Sequence, residues 1–174
     1  RDIPVRVKDF NDKALGGALK EAMNLYKSAL KKKKIKKHAL ENKMNLISTS
    51  LDNSGLKNSG MIIEAVVEDL GIKQKVFREL GDLTGPQVIL ASNTSSLPVT
   101  QMAEHCRYPE RVVGLHFFNP VNRMPLVEVI RAAKSSPEAI ERTILFSRRL
   151  GKTVIVVEDR PGFLVNRLLL PYLN

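Results

Sequence analysis

Apolar and polar positions along this chain alternate in two rhythms. Short apolar runs, Val88 to Ala91, Val112 to His116, Leu126 to Ile130 and Thr153 to Val157, predict buried strands. Between them lie stretches of helical spacing. One runs from Asp69 to Leu80 with Ile72, Val76, Phe77 and Leu80 on one side; another runs from Val99 to His105; a third opens at Pro137 and reaches about Leu150, where Gly151 closes it. Met61 to Val67 predicts a further buried strand with Glu64 inside it, and Gly85-Pro86 breaks the chain after the first of these helices. Earlier, Val5 to Asp9 reads as a short strand ending in an acid. Asn11 or Asp12 caps a helix from Lys13 to about Lys34, weakened in its first turns by Gly16-Gly17. A helical or irregular piece follows from Ile35 to Met44, then a short strand from Leu46 to Ser50 and turns at Asn53-Ser54-Gly55 and Asn58-Ser59-Gly60. At the far end, Pro161-Gly162 leads into Phe163 to Leu173, the start of a buried helix.

Apolar strands alternating with amphipathic helices predict an α/β fold: a mostly parallel sheet covered by helices on both faces. Ligands of such sheets sit beyond the carboxyl ends of the strands. Asp9, Glu68, Ser92 to Ser96, His116 and Asn119 collect there.

At 174 residues and 43% apolar content the chain holds one core with room for the beginning of a second domain. No apolar stretch approaches the roughly 20 residues that span a bilayer. The opening Arg1-Asp2-Ile3-Pro4-Val5 carries no signal-peptide pattern and reads as the middle of a longer polypeptide. Cys106 stands alone, which excludes an internal disulfide and a cysteine-rich metal site and fits a reducing compartment. The net charge of +10 is uneven, with six lysines in the seven positions from Lys31 to Lys37. That run is either a solvated helix face or a site for a polyanion. Nucleic acid is disfavoured as its partner, because only Tyr26 supplies a nearby aromatic ring.

The candidate chemistry centres on Gly114-Leu115-His116-Phe117-Phe118-Asn119-Pro120 and Met124-Pro125-Leu126-Val127-Glu128. Paired strands of this kind bring an imidazole against a carboxylate, which fixes the ring's tautomer and supports a general base. Asp9, at a strand end, is suited to ribose hydroxyls or to capping a turn. Ser92-Asn93-Thr94-Ser95-Ser96 either lines a ligand cleft or caps the following helix through Ser95 or Ser96. There is no Gly-x-Gly-x-x-Gly in the chain, so no pyrophosphate cradle of that type.

Together these residues resemble the L-3-hydroxyacyl-CoA dehydrogenase family of fatty-acid β-oxidation. The resemblance rests on Glu64-Ala65-Val66-Val67-Glu68, Ala91 to Ser96, Gly114 to Pro120, and Pro161-Gly162-Phe163-Leu164-Val165-Asn166-Arg167, in the family's order and spacing. Asn122 to Glu128 is similar to the multifunctional enzymes that fuse an enoyl-CoA hydratase to the dehydrogenase. The resemblance implies NAD as cofactor, an acyl-CoA substrate and no metal. It implies His116 as the base that removes the 3-hydroxyl proton and Glu128 as its partner. It further implies Ser95 on the substrate oxygen, Asn166 completing the site from a second domain, and Asp9, Glu68, Lys73 and Asn93 along the dinucleotide. Lys31 to Lys37 fall in the family's CoA-contacting excursion. A cytoplasmic setting of bacterial type, or another reducing soluble compartment, follows.

The implied architecture is a Rossmann-like domain over 1–160 without its first βα unit, then the first helix of an all-helical domain over 161–174. A missing central strand predicts a rearranged sheet that leaves the strands at Val5 to Asp9 and Val88 to Ala91 without their shared neighbour. It also predicts an exposed edge or a bare helix face favouring self-association. Affinity for NAD is expected to be weak.

Overall fold

A computed structural model describes residues 2–173, with side chains described up to residue 169. The chain divides into two compact units, Arg1–Leu56 and Lys57–Asn174.

In the first unit, β1 (Val5–Lys8) pairs in parallel with β2 (Ile47–Ser50). Between them run α1 (Asp12–Lys31) and α2 (Lys37–Met44). Asn11 caps α1, its side-chain oxygen accepting the Ala14 amide at 2.7 Å, and Leu15 is the buried residue of that helix. The helix stops at Lys31, short of the expected Lys34, because the backbone turns left-handed at Lys33, where φ is 54°. The lysines of this turn are exposed.

The second unit is built on a five-stranded sheet, β3 (Met61–Glu64), β4 (Ile89–Ser92), β5 (Val112–Phe117), β6 (Leu126–Arg131) and β7 (Thr153–Glu158), in that spatial order. Every pairing is parallel except β5 with β6. Helices α3 (Leu70–Leu83), α4 (Val99–Ala103), α5 (Pro137–Arg149) and α6 (Val165–Leu173) connect or follow the strands. The core gathers Ile89, Ala91, Val113, Leu115, Val127, Val129, Ala139 and Ile140. Gly114 is required at the β5–β6 contact: a Cβ there would stand 2.7 Å from Ile130 Cβ.

Three sequence expectations are corrected. The predicted strand from Met61 to Val67 ends at Glu64, because the Glu64 carboxylate accepts the Val66 amide at 2.6 Å and turns the chain out of the ladder. In α3 the buried stripe is Lys73, Phe77, Leu80 and Gly81, and Ile72 is 45% exposed. Ile89–Ser92, expected to lack a neighbour, pairs on both sides, with β3 and β5; within the second unit the edge strands are β3 and β7.

Candidate active site

The antiparallel register of β5 and β6 sets His116 directly opposite Glu128. Side chains of a directly opposed pair share a face, and His116 Nδ1 lies 2.7 Å from Glu128 Oε2. Both residues are buried. The second Glu128 oxygen, Oε1, accepts the amides of Leu164 at 3.0 Å and Val165 at 2.9 Å, at the start of α6. Burial opposes ionisation of Glu128, but the His116 hydrogen bond and the two amides outweigh it and hold the carboxyl below its ordinary value. An ionised carboxylate only accepts, so Nδ1 carries a proton and donates it to Glu128. Nε2 has no hydrogen-bond partner among the described residues. Phe118 and Phe163 pack against the ring, with centroids at 4.6 and 5.7 Å.

A second polar network lies beyond β3 and β4. Lys73 is buried on α3, and its ammonium reaches Glu64 Oε1 at 2.7 Å, the Val66 carbonyl at 3.3 Å and Glu68 Oε2 at 3.4 Å. Ser92 Oγ donates to the other Glu64 oxygen at 2.7 Å. Glu68 Oε1 accepts Thr94 Oγ1 at 2.6 Å, the Ser95 amide at 3.0 Å and Ser95 Oγ at 3.3 Å. Burial again opposes ionisation, yet Thr94, Ser95 and Lys73 hold the Glu68 carboxyl below its ordinary value. The segment Ser92 to Ser96 is thus tied to the β3–α3 loop. Neither Ser95 nor Ser96 caps α4; Asp159 does so, accepting the Val99 amide at 3.1 Å and the Thr100 amide at 2.7 Å.

Asn93 Oδ1 accepts the Phe117 amide at 3.0 Å, next to His116. Asn166 Nδ2 donates to the Ser95 carbonyl at 3.2 Å. The structure therefore links Ser95 with Asn166 and Glu68, and His116 with Glu128. Lys73 is committed to carboxylates and a carbonyl inside the protein, not to a surface. In the first unit, Asp9 follows the end of β1 and accepts the Phe10 amide at 2.7 Å. Sequence reasoning missed the roles of Phe163 and Asp159 and the pairing of Glu64 with Lys73. Phe163 and Glu64 stood within motifs already singled out, while Asp159 acts across sixty residues and gives no local signal.

Residues 1–160 match the family model described as 3-hydroxyacyl-CoA dehydrogenase, NAD binding domain. The chain belongs to this family. It is 48% identical over 172 residues to the fatty acid oxidation complex subunit alpha of a Shewanella species, covering 99% of this chain and 24% of that protein. The 3-hydroxybutyryl-CoA dehydrogenase of Escherichia coli K12 superposes with a TM-score of 0.94 at 32% identity, over 97% of this chain and 36% of the other. The (S)-3-hydroxybutyryl-CoA dehydrogenase of Ralstonia eutropha gives 0.94 at 34% identity, over 98% and 60%. The chain spans about a quarter of the length of the curated relatives it matches.

For a 3-hydroxyacyl-CoA dehydrogenase NAD-binding domain, the residues present fit part of the cofactor. Glu68, Asn93, Thr94 and Ser95 gather polar groups at the carboxyl ends of β3 and β4, and Val66 and Val67, next to Glu68 in the chain, are 41% and 64% exposed. Among the described residues no glycine-rich loop offers amides to a pyrophosphate. Among them, too, no helix is long and apolar enough to cross a membrane, and no group of His, Cys, Asp or Glu side chains is arranged to hold a metal ion.

Proposed function

We propose that this chain is the part of an NAD-dependent enzyme that carries the catalytic base for interconverting (S)-3-hydroxyacyl-CoA and 3-oxoacyl-CoA in fatty-acid β-oxidation. The observation that carries the reading is His116, buried, bonded through Nδ1 to Glu128 and unbonded at Nε2, within a chain of this family. His116 Nε2 takes the proton of the 3-hydroxyl. Glu128, held in place by the Leu164 and Val165 amides, keeps the ring in the tautomer that can accept it and balances the charge that forms. Bound NAD supplies the hydride acceptor. Asn166 and Ser95 sit on the substrate oxygen in this reading, with the Ser95 hydroxyl leaving its long, 3.3 Å contact to Glu68. In the second unit Glu68 holds sugar hydroxyls, Asn93 lines the cofactor and Lys73 is paired with Glu68; in the first unit Asp9 is the ribose-binding acid.

Residues 1–160 act as the cofactor domain, and 161–174 open the helical domain. The exposed Lys31–Lys37 turn takes the phosphates of CoA. The likeness to fatty acid oxidation complex alpha subunits supports a multifunctional, cytoplasmic parent with a fused hydratase.

The test grafts this chain into the matching segment of the Shewanella baltica alpha subunit, 47% identical. The graft is expected to reduce NAD with (S)-3-hydroxybutyryl-CoA, and its His116→Ala form to lose at least about a hundredfold in rate. A graft that folds and has no such activity overturns the reading.

A further inference from the structure

The backbone between β7 and α6 takes two successive left-handed residues, Gly162 at φ 72° and Phe163 at φ 50°. Glycine accepts this region freely, whereas a bulky side chain rarely does. Residues held in this way persist only where the surroundings over-determine them, and they concentrate at functional sites. Here the surroundings are specific. The Phe163 ring is 3% exposed and lies 5.7 Å from the His116 ring, which Phe118 meets at 4.6 Å. The two amides after Phe163 are the ones that Glu128 Oε1 accepts. One turn therefore delivers an aromatic face to the imidazole and two donors to the carboxylate bonded to that imidazole.

A carboxylate at Nδ1 fixes one nitrogen but leaves the ring free to rock about that bond. Two tilted aromatic contacts, at 56° and 55° to the ring, remove that freedom and exclude water from the Nδ1–Oε2 bond. We infer that Phe163 is a positioning residue: its left-handed backbone is maintained to press its ring on His116, so that Nε2 points in one direction. This rests on the proposed function for its catalytic consequence, but not for the lock on the ring.

The experiment labels histidine with nitrogen-15 in this chain and reads the ring nitrogens by NMR, with His38 and His105 as internal reports on folding. The wild type is expected to show His116 wholly as the Nδ1–H tautomer. Phe163→Leu, and Phe163→Gly, which relieves the backbone while deleting the ring, are expected to broaden the His116 ring signals by exchange; Phe163→Tyr is expected to keep the lock. In the graft, Phe163→Leu lowers kcat about tenfold with KM changed less than about twofold, and Phe163→Tyr restores kcat. Phe118→Leu gives a second reading if Phe163→Leu does not fold, and is expected to loosen the same ring. A Phe163→Gly chain whose His116 ring signals are unchanged in position and width overturns the inference, since the turn alone would then suffice. A graft without activity whose His116 ring signals still depend on Phe163 leaves the positioning role standing and removes the proposed function.

Discussion

Replacing Lys73 by Met should destabilise the second unit by about 3 kcal/mol, as expected for breaking a buried ion pair from one side. Methionine is close in length and apolar, so packing is largely kept. What changes is Glu64, a 4% exposed residue whose Oε1 loses the ammonium at 2.7 Å. Its remaining partners, the Val66 amide at 2.6 Å and Ser92 Oγ at 2.7 Å, satisfy its hydrogen bonds but supply no full positive charge. These two donors place the loss at the low end of the about 3–5 kcal/mol seen for such breaks. The Glu68 contact at 3.4 Å adds under about 1 kcal/mol, since that carboxylate is partly solvated. Adding Glu64→Gln removes the stranded charge while an amide oxygen still accepts from Val66. The double variant is therefore expected within about 1 kcal/mol of wild type. Urea unfolding followed by circular dichroism reads this directly: at a slope of about 2 kcal/mol per molar, the midpoint of Lys73→Met drops by about 1.5 M. A drop equivalent to less than about 1 kcal/mol, or a double variant no better than Lys73→Met, would refute the argument that this pair is a charge-balanced unit.

Three further outcomes follow from the geometry. Glu128 and Glu68 are both held below their ordinary value of 4.5, so the stability they confer is complete above that pH and is lost as the pH falls through their lower folded values; acid unfolding should steepen below about pH 4.5, and Glu128→Gln should flatten that limb. Gly114→Ala places a Cβ 2.7 Å from Ile130 Cβ and 3.0 Å from Val99 Cγ2, and should destabilise by about 1–3 kcal/mol in thermal unfolding; a neutral effect would contradict the tight β5–β6 packing. Asp159→Ala strips both amide contacts at the start of α4 and should cost about 1 kcal/mol, with faster amide exchange at Val99 and Thr100; unchanged exchange at those amides would contradict the capping role.

Much of the site was legible because it depends on alternation. The apolar runs on either side of His116 and Glu128 predicted two paired strands, and the pairing puts the two residues opposite each other. Asn11 and Gly151 announced helix ends by residue type, one as a side-chain cap and one at φ 81°. What stayed hidden depends on tertiary partners. Lys73 displaced Ile72 from the inner face of α3 because Glu64 waits below it, and no helical count contains that carboxylate. Glu64 read as a mid-strand residue, yet its own bond to the Val66 amide ends the strand. Asp159 caps α4 from just past the end of β7, a role that residue type alone does not reveal. Phe163 looked like the first apolar residue of a helix; its left-handed backbone and its place on His116 follow from the turn that Glu128 anchors. Val88 to Ala91, expected to lose a neighbour, pairs on both of its edges, and the sheet of the second unit is open at β3 and β7.

The central claim is that His116 takes a proton while a hydride leaves the neighbouring carbon. The most direct measurement uses (S)-3-hydroxybutyryl-CoA carrying deuterium at C3, in the graft and in its His116→Ala form, with mass analysis of the reduced cofactor. Deuterium is expected on the nicotinamide ring, with a rate that falls with the isotope and near-complete loss of transfer without His116. Reduced cofactor lacking deuterium, or undiminished transfer in His116→Ala, would contradict it.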